Sequence, residues 1–105
     1  MKADLLQAVL TAVEAETEVS ASVILSKSRK EEVVDARHIV VRMLADHNLY
    51  PSQIAELTNL SVRYIGLILN DFAERCKTRR IMRINYELSR KKFGINYMNG
   101  KGDTW

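Results

Sequence analysis

Residues 26–30 read Ser-Lys-Ser-Arg-Lys. Such a cation-rich stretch suits the grip of a phosphate, with Lys27, Arg29 and Lys30 supplying the charge. A second set, Ser61-Val62-Arg63-Tyr64, stands where a helix is expected to begin. There an arginine can donate bidentately to guanine O6 and N7, worth roughly 1–3 kcal/mol of base discrimination, and a valine can pack on a thymine methyl. Tyr64 and, further along, Asn70 suit contacts to the sugar-phosphate backbone. Between the two sets lie Arg37 and His38. This is the chemistry of recognition, not of bond making. No Ser/His/Asp or Cys/His grouping and no paired carboxylates in a helical context stand out, so no catalytic residue is expected. Cys76 is the single cysteine, and with His38 and His47 it matches no metal-ligand spacing. The four glycines form no phosphate-cradling loop, so neither nucleotide nor other cofactor is expected.

The elements that must position these residues follow from periodicity. Leu5, Leu6, Val9, Leu10 and Val13 recur at helical spacing and predict an amphipathic helix over about 4–16, with a short helical turn over about 20–25 after it. Ser28 and Glu31 have capping-box spacing, which predicts a helix over about 29–47, with Val33, Ala36, Val40, Met43 and Leu44 on its buried face. Pro51 suits a first helical turn, and a short helix is predicted over about 51–57. Ala55 permits a close crossing, Asn59 tolerates a left-handed turn, and Ser61 can cap a further helix over about 61–76. With Ile54, Leu60, Ile65 and Ile68 at the inward positions, this is the pattern of a helix-turn-helix. A last helix is predicted over about 79–93, capped by Thr78 and stopped by Gly94, with an apolar stripe of Ile81, Ile84 and Leu88. Residues 95–105 have no periodicity and read as a tail or as a docking arm carrying Tyr97 and Trp105. The fold class is therefore an all-α bundle of five to six helices in a single domain over 1–94.

Leu25-Ser26-Lys27-Ser28-Arg29, then Ala36-Arg37 on a helix, then the helix-turn-helix, together resemble the C-terminal DNA-binding domain of the bacterial replication initiator DnaA, a Trp-repressor-like helix-turn-helix. The resemblance covers about residues 5–75. It implies minor-groove or phosphate contact by Arg29, a phosphate or base-edge contact by Arg37, and a backbone contact by His38, which stands where the family usually has glutamine. Two departures are plain. The family's Gly-Arg-Asp-His-Thr-Thr-Val signature is replaced by Asn59-Leu60-Ser61-Val62-Arg63-Tyr64-Ile65, so the family's origin box is not the expected target. Glu31, Glu32 and Asp35 stand at a helix start that is usually more basic, and are expected to oppose phosphate.

Charge distribution points the same way. Residues 1–60 carry six Lys/Arg against nine Asp/Glu, and residues 61–105 carry ten against four, within an overall net charge of +3. A basic half that starts at the second recognition set is the footprint expected for an anionic polymer. Lys77, Arg79, Arg80, Arg83, Arg90, Lys91 and Lys92 either touch flanking phosphate or simply keep the domain soluble. No apolar run approaches the ~20 residues that cross a bilayer, and no leader pattern is present, so a cytoplasmic protein is expected. The expected partner is double-stranded DNA, in bacterial or mobile-element replication control or in transcription, with a homodimer open. The alternative is a helical interaction or dimerisation module that uses Gly66, Leu67 and the aromatic tail without reading bases.

Overall fold

A computed structural model describes the backbone of residues 2–101 and the side chains of residues 2–94. Six helices account for it: α1 Lys2–Thr17, α2 Ala21–Ile24, α3 Glu31–Asp46, α4 Pro51–Thr58, α5 Val62–Thr78 and α6 Arg80–Lys101. No strand is present among the described residues. None of their helices is long and apolar enough to cross a membrane.

The centre is α3, which packs against each of the other five helices. Its sequence explains that place. Val33, Ala36, Val40, Met43 and Leu44 are buried as expected, and Ile39 and Val41 join them. Apolar residues therefore circle most of the helix, which makes it a core helix rather than one with a single buried stripe. Val9, Leu10 and Val13 of α1 and Ile54, Ile65 and Ile68 of the α4–α5 pair complete one continuous core.

Charged residues are buried on α3 as well. Asp35 is 6% exposed and accepts from Arg75 Nε and Nη2 at 3.1 and 2.9 Å. It also receives Arg79, with Nε–Oδ2 2.8 Å and Nη2–Oδ2 2.6 Å, while Arg79 Nη1 reaches Glu31 Oε2 at 2.8 Å. Two carboxylates one turn apart on α3 thus meet two guanidiniums one turn apart at the α5–α6 junction. Pairing in both directions offsets the desolvation that an isolated buried carboxylate would suffer.

Several boundaries differ from those read in the sequence. Ser28 does not cap α3: the helix starts at Glu31 with Lys30 as N-cap, and Ser28 Oγ instead accepts from Lys30 N at 3.3 Å. Thr78 does not cap the last helix either. It closes α5, where its Oγ1 donates back to Arg75 O at 3.1 Å, and the chain bends at Arg79 with φ −123° and ψ 88°. Gly94 is not a stop, because α6 continues through it to Lys101. A helical glycine loses about 1 kcal/mol relative to alanine, too little to end a helix that tertiary packing supports. The backbone of 95–101 is accordingly helical, while residues 102–105 and the side chains of Tyr97 and Trp105 lie outside the described residues.

The face of α6 is also reversed. Met82, Ser89 and Phe93 are buried, whereas Ile81, Ile84 and Leu88 are exposed. The inward face packs chiefly against α1 and also meets the end of α3. Tyr86 donates its hydroxyl to Asp46, and Phe93 meets His47 edge to face at 4.7 Å.

Asp35→Asn should destabilise the domain by about 2–4 kcal/mol, since it leaves two partly buried guanidiniums facing a neutral amide. Urea denaturation measures this, and a change below about 0.5 kcal/mol would show that the cluster does not hold α3 to the α5–α6 junction.

Candidate nucleic-acid interface

The segment between α2 and α3 is built by its own hydroxyls. Ser26 Oγ donates to Val23 O at 2.6 Å and accepts from Ser28 N at 3.2 Å, and Ser28 then serves Lys30 in the same way. Such local side-chain bonds favour a turn over continued helix. The turn's carbonyls are collected by one residue. Arg37 donates from Nε to Ile24 O at 2.8 Å and from Nη2 to Ser26 O at 2.6 Å and Ser28 O at 2.9 Å. Its Nη1 donates to Tyr64 Oη at 3.0 Å.

Arg37 is 4% exposed. The planar fork of a guanidinium can serve several fixed acceptors at once, which an ammonium cannot match in geometry. The direct phosphate or base-edge contact expected of Arg37 would require breaking these bonds. Its place in the structure is that of a positioning residue: it fixes residues 24–28 to the first turn of α5. With those carbonyls turned toward Arg37, the side chains of Lys27, Arg29 and Lys30 remain exposed.

The helix-turn-helix forms as its residue types require. Pro51 opens α4, and Asn59 closes it in the left-handed region, at φ 64° and ψ 22°, with its N–H donating to Ala55 O at 2.8 Å. Thr58 seals the turn by donating to Ile54 O at 2.7 Å and accepting from Leu60 N at 3.3 Å. Ser61 caps α5, its Oγ accepting from Tyr64 N at 3.0 Å. Ile54, Ile65 and Ile68 are buried and Leu60 is half-buried. Ser61, Val62 and Arg63 are left exposed at the amino end of α5, where unpaired N–H groups and the helix dipole favour an anion.

Loop and helix end meet in an open groove of about 640 Å³. Lys27 and Arg29 of the loop, Asn59 and Ser61 of the turn, and Val34, Arg37, Leu60 and Tyr64 line it. Among the described residues no carboxylate lines it. The repulsion expected from Glu31 and Asp35 is reduced, because Arg79 and Arg75 hold both. Glu32 remains an exposed carboxylate beside the loop.

The groove therefore brings together Lys27, Arg29, Arg37, Ser61 and Tyr64. Lys30 is exposed next to it at the start of α3, and Val62 and Arg63 are exposed on the adjoining first turn of α5. Asn70 is exposed two turns beyond Arg63 on α5. His38 does not line the groove, although its ring meets that of Tyr64 edge-on at 6.4 Å. It is 7% exposed, and its Nδ1 donates to Val34 O at 2.9 Å. Desolvation by burial, with the nearby Arg75 charge, lowers its pKa to about 4. A neutral ring with Nδ1 protonated carries a lone pair at Nε2. His38 is therefore an acceptor there at neutral pH and lacks the donor expected for a phosphate. Ser26, Ser28, Asn59 and Leu60 line the groove but were not singled out in the sequence as contact residues. The signal for the serines was their alternation with cations.

The lowered pKa of His38 has a defined consequence for stability. The unfolded chain, with an ordinary histidine pKa of 6.5, binds this proton before the folded chain does. His38 thus contributes stability that is fully present above about pH 6.5 and is lost as pH falls through about 4, on the order of 3 kcal/mol in total. Thermal unfolding at several pH values between these limits should show a shallower decline for His38→Gln than for the parent. Identical declines would contradict the burial argument.

Comparisons with protein-family models, with curated proteins and with solved structures found no match.

Proposed function

We propose that the chain binds double-stranded DNA, with Lys27, Arg29 and Lys30 gripping phosphate and the first turn of α5 entering the major groove. One observation carries this reading: Arg37 bonds the loop carbonyls and the Tyr64 hydroxyl at once, so a cationic loop and a capped helix end share one carboxylate-free groove. Fixing two contact sets relative to each other before binding lowers the ordering cost of association. In this reading Arg63 and Val62 contact base edges, and Ser61, Tyr64 and Asn70 lie toward the backbone. Arg37 and His38 support the surface from behind.

The resemblance to the DnaA C-terminal domain suggests a role in replication initiation or its regulation, in a bacterium or a mobile element, or in transcription control. Because the residues of the first α5 turn differ from that family's signature, the target sequence is proposed to differ as well. Neither nucleotide nor cofactor has a part in this reading.

Leu67 is 53% exposed on α5, and a Cβ added at Gly66 would meet nothing within 4 Å. These two residues are the basis for the second reading, a protein-interaction module on the same scaffold. Salt separates the two readings. Duplex binding that neutralises several phosphates should weaken steeply with ionic strength, with a log-log slope of about −0.9 per phosphate. In the same titration Arg29→Ala should weaken binding to all sequences alike and flatten the slope by about one contact, while Arg63→Ala should relax preference among sequences. Duplex binding with no salt dependence, or none at all, would favour the interaction module.

A further inference from the structure

We propose that the outward face of α6 docks an acidic amphipathic helix of a partner protein. This face shares no residue with the groove described above, and the inference does not depend on DNA binding. Ile81, Ile84 and Leu88 are 58%, 37% and 44% exposed although Met82, Ser89 and Phe93 already bury the opposite side of the helix. The helix therefore carries two apolar faces, and the described residues bury only one.

Two features of the exposed face specify its occupant. The first is spacing. Intervals of three and four residues form the seam of a two-helix coiled coil, into which the side chains of a second helix interdigitate. A phosphate backbone offers no apolar groups to cover such a seam. The second is charge. Lys91 falls at the next seam position, and Arg80 and Lys92 flank the stripe, against the single carboxylate of Glu87. Arg80 and Lys91 have no ion-pair partner among the described residues, and Lys92 has only Glu16 at 4.0 Å. A cation at a seam position is tolerated when a carboxylate lies opposite, so the partner helix must place Asp or Glu there and along its edges.

The same charges argue against a second copy of this chain. Antiparallel pairing about Ile84 and Leu88 would set Arg80 near Lys91, and parallel pairing would set Lys91 against its equivalent in the seam. Both arrangements juxtapose like charges across the seam.

The test uses the full chain without DNA and two synthetic helical peptides with the same Leu/Ile seam, one flanked by Glu and one by Lys. The Glu-flanked peptide should bind, weaken as salt rises, and shift the methyl resonances of Ile81, Ile84 and Leu88 but not the signals of Arg29 and Arg63. Ile81→Glu and Leu88→Lys, both at exposed positions, should keep the parent's thermal midpoint and lose at least about tenfold in affinity. Absence of binding, equal binding of both peptides, or affinity unchanged in both variants would overturn the proposal. So would sedimentation showing a self-associated chain that Ile81→Glu makes monomeric, which would assign the face to a second copy. Failure here leaves the salt-dependent DNA titration unaffected, and failure of that titration leaves this result standing.

Discussion

Arg37 is the constraint from which the candidate interface follows. Its guanidinium has almost no solvent contact and no carboxylate partner among the described residues, and its charge is met by the carbonyls of Ile24, Ser26 and Ser28 and by the Tyr64 hydroxyl. Burying a cation in this way is tolerable only when nearly every N–H is satisfied, so the loop has little freedom while Arg37 stays in place. The loop in turn displays Lys27 and Arg29, and the Tyr64 bond sets its distance from the amino end of α5. A short cationic segment would otherwise sample many shapes, and its charges would have no fixed relation to the helix-turn-helix.

The same stretch of α3 carries a second polar knot. Asp35, two residues before Arg37, gathers Arg75 and Arg79 and so orients α5 and α6 relative to α3. One helix thereby fixes both ends of α5, Tyr64 near its start through Arg37 and Arg75 near its close through Asp35. His38, neutral at ordinary pH and bonded to Val34, is a third buried polar side chain in this stretch of α3. This arrangement accounts for charged residues at positions that a surface reading of the sequence would turn outward.

How much of this could be read in advance depended on whether each signal was local. The helix-turn-helix was legible because Pro51, Asn59 and Ser61 each answer a backbone demand within a few residues: a missing donor, a positive φ, an orphan N–H. The cationic loop was legible from composition. Arg37 was not, because its partners are main-chain carbonyls, which every residue possesses, and a hydroxyl 27 residues away. On α6 two stripes of helical spacing competed, and greater hydropathy favoured Ile81, Ile84 and Leu88. Packing against α1, with contacts of Tyr86 to Asp46 and of Phe93 to His47, buries the other. The ionic cluster did leave a trace, since Glu31 and Asp35 share the four-residue interval of Arg75 and Arg79, a match visible only when the two segments are compared with each other.

Amide hydrogen exchange across residues 26–30 in Arg37→Lys tests the clamp most directly, because the substitution keeps the charge and removes the planar fork. Exchange there should accelerate by about tenfold or more while α1 and α4 keep their protection, marking local release rather than global unfolding. Unchanged protection of residues 26–30 would mean that charge alone suffices at this position, and that the loop owes its place beside α5 to something other than the Arg37 guanidinium.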